Sequence, residues 1–224
     1  MSTINVGIIG CGRIADLHFP GYKNNRDARV YAISDCDDQT TARRKKEWKI
    51  DKAYADYRDL LADPRVDAVE ILTPQLLHEE MVLEAARAGK HIALQKPMTI
   101  DLPSADRMIA ASVKSGKILR ISDNYLFYPP IVLAKKMIDA GEIGDPNNMR
   151  IKLISGGSGG WAIPPAAWEW RLKESMDGRP IQTFDHGHHL WSVASFLHGR
   201  GERVTRWSDS VDGVIDSPAV IMWK

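Results

Sequence analysis

The stretch Val6-Gly-Ile-Ile-Gly-Cys-Gly-Arg-Ile-Ala15 constrains the rest of the chain most. An apolar run opens it, glycines interrupt it and a helical pattern comes next. That order predicts a buried strand, a tight turn and a helix start. Gly10 and Gly12 have access to backbone angles closed to other residues and let another group approach the main chain. The helix behind them, beginning near Arg13 and Ile14, directs unpaired N–H groups and the positive end of its dipole at the turn. An anion, above all a pyrophosphate, suits such a place. Ala15, at the third fingerprint position, still allows close helix–strand packing. Taken alone, the pattern equally describes an ordinary strand-to-helix turn.

The residues after this helix weigh on that choice. A second predicted strand over residues 30–34 stops at Asp35, 23 positions after Gly12. That is near the spacing at which a carboxylate meets the adenosine ribose of a dinucleotide, although Asp-Cys-Asp-Asp is also good turn chemistry. Strand, glycine turn, helix, strand and acid together point to dinucleotide binding. A carboxylate here repels a ribose phosphate, so NAD is favoured over NADP. The run Arg43-Arg44-Lys45-Lys46 weakens that preference slightly and is assigned to the solvated face of the next helix.

Further strands are predicted over 66–72, 91–95 and 117–122. The first ends at Thr73-Pro74 and is succeeded by a helix with Met81, Val82 and Ala85 inward. His78, in the same phase, either faces a cleft from the first turn or is a packed or capping histidine. The second strand runs into Lys96-Pro97. Asp101 and Pro103 then open a helix that Gly116 closes, and Pro20-Gly21 is expected to end or bend the first helix. Alternating strands and helices predict an α/β fold with a doubly wound parallel sheet. Ligands of such sheets sit at the carboxyl ends of strands, where Gly10, Asp35, Thr73, Lys96 and Asn124 all fall.

The character changes near Asn124, which divides the chain into residues 1–123 and 124–224. A helix is predicted over 131–140, and strict alternation over 149–153 predicts a strand with one wet face. Residues 155–160 read as a flexible loop, either a plain surface loop or a lid. Trp161, Trp168 and Trp170 with Arg171 come after it. Phe184-Asp-His-Gly-His-His189 leads into another helix, and strands are predicted around Val204, Val211 and 218–223.

Composition excludes several classes. Lys+Arg is 30 against Asp+Glu 29, so no global charge argues for nucleic acid or a membrane surface. No apolar run is long enough to span a bilayer, and with a first strand so near the start no signal peptide is expected. Cys11 and Cys36 are expected to be reduced, core-type residues. A cytoplasmic protein is the expectation.

The sequence resembles the glucose–fructose oxidoreductase / inositol dehydrogenase family, Gfo/Idh/MocA. The resemblance rests on Gly7 to Ala15, Asp35, Thr73-Pro74 with His78, Gln95-Lys96-Pro97, Gly141-Glu-Ile-Gly144 and Asp185-His-Gly-His-His189. It implies an N-terminal Rossmann domain followed by an α+β domain with a mostly antiparallel sheet. It implies an NAD(P)-dependent oxidoreductase acting on a sugar, cyclitol or related polyol. It also implies that Lys96, Asp185 and His189 surround the reacting carbon, and that the Lys96–Pro97 bond is cis. The cofactor would be held by Gly10, Gly12, Arg13, Ile14, Asp35, Thr73, Pro74, His78, Gln95, Lys96 and Asn124. The substrate would meet Tyr125, Tyr128, Arg171 and His188 beside the catalytic residues. Copies of the chain would associate through the open face of the second sheet.

Two departures stand out. Gln95 replaces the glutamate usual before the lysine, which removes a negative charge. The chain also stops early, so the second sheet is expected to be incomplete. Oxidising a secondary alcohol requires a base near neutral pH. An ordinary histidine, at about 6.5, suits that role better than a lysine at about 10.4. His189 is therefore assigned as acid/base and Lys96 as the cation polarising the oxygen. Asp185 orients the imidazole or binds a substrate hydroxyl. A lysine depressed by burial would exchange roles with the histidine. His186, His188, His189 and Asp185 have metal-like composition, but adjacent histidines diverge on a helix and no metal is expected. Tyr125, Tyr128 and the tryptophans are candidates to stack on a sugar or adenine, with core packing as the alternative. A non-catalytic dinucleotide-binding regulator, or an inactive fragment, is the alternative to an enzyme.

Overall fold

The structure is a computed structural model and describes residues 3–154, 165–177, 181–210, 216 and 219–224. The chain forms two compact units, Met1–Ser122 and Asp123–Lys224. The loop over 155–160, Trp161 and Val211 lie outside the described residues.

In the first unit six strands alternate with helices. They are β1 (Ile4–Ile9), β2 (Ala28–Ser34), β3 (Lys52–Tyr54), β4 (Ala68–Ile71), β5 (His91–Gln95) and β6 (Leu119–Ser122). They make one parallel sheet in the order β3-β2-β1-β4-β5-β6. The helices are α1 (Ala15–Lys23), α2 (Asp38–Trp48), α3 (Tyr57–Ala62), α4 (His78–Arg87) and α5 (Leu102–Ser115). Successive residues of a strand face opposite sides, and the core divides accordingly. Ile8, Ile33 and Leu72 join Cys11, Ala15 and Ile50 on one side. Ile9, Val69, Ile71, Ile92 and Leu94 join Leu60, Val82 and Met108 on the other. The near-continuous apolar runs of the sequence reflect this two-sided burial.

Local chemistry sets the helix ends. Asp37 caps α2 through Gln39 and Thr40 N–H, and Asp101 caps α5 through Ser104 N–H. Helix α1 includes Pro20-Gly21 and ends two residues later, at Lys23. Proline inside a helix costs roughly 3 kcal/mol, and tertiary contacts hold the last turn in place. Phe19 stacks on Trp48 at 4.5 Å, and Tyr22 donates to Glu70.

The second unit holds α6 (Pro129–Asp139), α7 (Pro165–Met176), α8 (Gly187–His198) and an antiparallel pair, β7 (Val204–Ser208) with β8 (Ala219–Trp223). The strand predicted over 149–153 does not form. Its alternation is genuine, but a strand exists only when its backbone groups find a partner strand. Cys36 is exposed, not core-type, whereas Cys11 is buried and its thiol is pushed up to about 12 by burial and by Asp35. Among the described residues, no helix is long and apolar enough to cross a membrane.

The two glycines of the turn are held by different constraints. Gly10 has φ +91, and a Cβ there would lie 2.9 Å from the Leu72 carbonyl oxygen. A Cβ on Gly12 would meet nothing within 4 Å, and Gly12 is absent from the positive-φ glycines. Gly10→Ala is therefore expected to lower unfolding free energy by more than about 1 kcal/mol in urea titrations. Gly12→Ala is expected to leave stability within about 1 kcal/mol. Equal losses at both positions would contradict the distinction.

Candidate functional site

The glycine turn is built from three strand ends. Gly10 N–H donates to the Ser34 carbonyl at 2.9 Å, at the end of β2. Gly10 also packs against the backbone of Leu72 and the Thr73 side chain, just beyond β4. Helix α1 begins next, and no side chain caps its first turn. The open space at Gly12 and the uncapped helix start fit a pyrophosphate, which needs close approach to donor N–H groups.

Asp35 lies just beyond β2 and is already engaged. Its Oδ2 accepts from Cys11 N–H at 2.7 Å and its Oδ1 from Asp37 N–H at 3.0 Å. Both roles considered for it are thus compatible, because each carboxylate oxygen has a further lone pair for a ribose hydroxyl. The backbone bonds hold the carboxylate beside the glycine turn.

Arg44 corrects the assignment of the basic run to a solvated face. Arg43, Lys45 and Lys46 are exposed, but Arg44 is buried. Its Nε donates to the Cys11 carbonyl at 3.2 Å, and its guanidinium pairs with Asp16 and Glu47. It also lies over the Trp48 ring. Arg44 thereby ties α2 to the glycine turn. A basic cluster in a sequence shows charge and not which member of it turns inward.

His78 is only 1% exposed, which decides between the two readings of it. Its Nδ1 lies 3.1 Å from the carbonyls of both Pro97 and Met98, and its Nε2 lies 3.0 Å from the Thr73 carbonyl. The ring clips the turn after β4 to the turn after β5 instead of facing a cleft. Burial holds its pKa below the ordinary value and outweighs the three carbonyls, which favour the charged ring. Lys96 comes directly after β5, and the Lys96–Pro97 peptide is cis. Gln95 Oε1 accepts from Lys96 N–H at 2.7 Å.

In the second unit the residue that organises the histidines is Asp123, which belongs to none of the sequence motifs. Asp123 is buried at 7% exposure and caps the short turn Asn124–Phe127 through Tyr125 N–H. Its Oδ1 lies 3.0 Å from His189 Nδ1, and its Oδ2 lies 3.3 Å from His188 Nε2. Tyr125 stacks face to face on His189 with ring centroids 4.1 Å apart. Burial pushes the Asp123 carboxyl upward, but hydrogen bonds from His188, His189 and Ser192 outweigh it and hold the group far below the usual range. Asp185, also buried, pairs with Arg171 at 3.1 Å, and Arg171 lies over the Trp170 ring. Asn124 and Tyr128 are exposed. No group of three or more metal-ligating side chains gathers among the described residues. An acid at the end of a predicted strand was the available signal for Asp123. Nothing in the sequence links it to residues 66 positions later.

A glycine turn at the sheet's switch point, with an acid after the next strand, defines a dinucleotide-binding α/β fold. The chain belongs to the Gfo/Idh/MocA oxidoreductase family, whose NAD-binding Rossmann fold matches residues 4–122. A myo-inositol 2-dehydrogenase from Thermotoga maritima is 36% identical over 148 residues, 66% of this chain and 44% of its own length. A levoglucosan dehydrogenase from Pseudarthrobacter phenanthrenivorans is 28% identical over 207 residues, 89% of this chain and 52% of its own. A solved structure of a probable dehydrogenase from Thermotoga maritima has a TM-score of 0.83 at 27% identity, covering 98% of this chain and 65% of that one. The chain spans about half the length of the curated relatives it matches.

Two outcomes are expected. NAD should raise the melting temperature more than NADP, because binding to the native state alone stabilises it by mass action. Asp35→Ala should narrow that difference, and greater stabilisation by NADP in the parent protein would overturn the role given to Asp35. His78 should produce an acid limb in stability. Its folded pKa lies below the unfolded value of about 6.5, so its contribution is complete above about pH 6.5. The contribution declines as pH falls below that, because the unfolded chain takes up a proton that the folded chain resists. Urea midpoints at about pH 7.5 and pH 5.5 should differ less in His78→Gln than in the parent. An identical pH difference would assign the limb to another group.

Proposed function

We propose that the protein is an NAD-dependent oxidoreductase acting on a secondary alcohol, or the matching ketone, of a sugar, cyclitol or related polyol. The observation that carries this reading is the Asp123–His189 pair at 3.0 Å. Asp123 stays ionised and can only accept, so His189 Nδ1 carries a proton, and in the neutral ring Nε2 is the nitrogen that presents a lone pair. A buried carboxylate that fixes the tautomer of a histidine and stabilises the imidazolium is the arrangement a general base requires.

Bound NAD supplies the hydride acceptor. His189 Nε2 takes the hydroxyl proton of the alcohol as the carbon gives up its hydride, and returns it in the reverse reaction. Tyr125, flat against the imidazole, limits the ring to one plane and shields a face of it from water. Lys96 is assigned to the substrate oxygen, where its ammonium stabilises developing negative charge. Asp185, locked to Arg171, is assigned to a substrate hydroxyl. The names of the relatives, an inositol and a levoglucosan dehydrogenase, support the substrate class.

Steady-state assays with NAD and a panel of aldoses, inositols and anhydrosugars test the reading. His189→Ala should abolish turnover while leaving NAD affinity unchanged. Asp123→Asn should lower kcat by at least about a hundredfold, because an amide no longer fixes the tautomer or stabilises the imidazolium. Full turnover in either variant would remove His189 from the chemistry.

A further inference from the structure

A chain of polar groups crosses the sheet beneath the Lys96 turn, and none of the roles above uses it. Tyr22 OH donates to Glu70 Oε2 at 3.0 Å. Glu70 Oε1 lies 2.7 Å from His18 Nδ1. His18 Nε2 lies 3.1 Å from Gln95 Nε2, and Gln95 Oε1 accepts from Lys96 N–H at 2.7 Å. His18 and Tyr22 are one turn apart on α1. Glu70, only 5% exposed, lies on β4, and Gln95 ends the neighbouring β5. Three elements therefore meet in one line of hydrogen bonds that ends on the backbone of Lys96.

Proton counting leaves this line a single self-consistent state. The Lys96 N–H needs an acceptor, so the Gln95 oxygen faces it and the Gln95 amide nitrogen faces His18. An amide NH2 only donates, so His18 Nε2 must accept and the ring proton sits on Nδ1. Nδ1–H then donates to Glu70, which accepts from Tyr22 on its other oxygen. Burial and the neighbouring Glu70 charge hold the Tyr22 phenol well above its ordinary range, as its role as donor requires. Every group in the line is paired, and its one negative charge resides on Glu70.

We infer that His18, clamped by Glu70 and Tyr22, is a positioning residue that sets the Gln95 amide and through it the backbone of Lys96. The charge absent at position 95 is thereby supplied one strand away, on Glu70, and reaches the Lys96 turn through a neutral imidazole. A glutamate at position 95 would place carboxylates on both ring nitrogens, and the imidazole would then take up a second proton. The consequence for turnover rests on the role assigned to Lys96 above. The geometry of the line does not.

Nitrogen-15 NMR of the histidines in the intact chain reads the line directly. His18 should show the Nδ1–H tautomer at neutral pH, and Gln95→Glu should convert it to the doubly protonated ring. The Nε2–H tautomer in the parent, or an unchanged neutral ring in Gln95→Glu, would overturn the inference. Hydrogen exchange of the Lys96 amide reads positioning. It should accelerate roughly tenfold or more in His18→Phe, about the effect of losing one such bond. It should recover in His18→Gln, whose amide again offers one acceptor and one donor. Exchange unchanged in His18→Phe would show that Gln95 holds Lys96 without His18. With a substrate in hand, His18→Phe should lower kcat about tenfold, since the lysine is then less well placed. Absence of turnover in the parent chain counts against the oxidoreductase reading alone, and the tautomer and exchange results then decide the inference.

Discussion

Gly10 is the point on which the first unit depends. Its amide closes β1 onto the Ser34 carbonyl, and the space where its Cβ would stand is filled by the backbone beyond β4. Strand β1 can have β2 on one side and β4 on the other only if the chain passes this point without a side chain. That is also where the strand order reverses, and where a crevice forms at the carboxyl ends. Gly12 is under no such packing constraint, since a Cβ there would meet nothing within 4 Å. The packing constraint of this short turn therefore falls on its first glycine alone, and its second stands beside open space.

Around that turn the polar side chains mostly hold main chain. Asp35 takes two backbone N–H groups, Arg44 a carbonyl of the turn, and His78 carbonyls from two loops. Each such bond contributes only about 1 kcal/mol net, but leaving its partner buried and unpaired costs about 1–3 kcal/mol. The energetic asymmetry favours the arrangement in which these loops keep their partners. In the second unit, Asp123 does for two imidazoles what these residues do for loops. It holds a buried carboxylate within 3.0 Å of one ring and 3.3 Å of the other.

Local signals were legible wherever local chemistry decides the outcome. The glycine turn, the caps at Asp37 and Asp101, and the two-sided burial of the parallel strands all arise from short-range sterics and periodicity. Local signals misled where a distant partner overrides them. Residues 149–153 alternate as a strand should and yet remain irregular, because alternation supplies no partner. Arg44 lies in a run of four basic residues and alone turns inward.

The sequence by itself determined the α/β class, the dinucleotide turn and the acid beyond β2, because these are set by residues close in the chain. Tertiary structure alone decided which carboxylate meets His189, that His78 clips two loops, and that Glu70 stands behind Gln95 through His18. Those pairings join residues 20 to 77 positions apart. A hydrogen bond acts over about 3 Å, and only the folded backbone brings such groups within that distance.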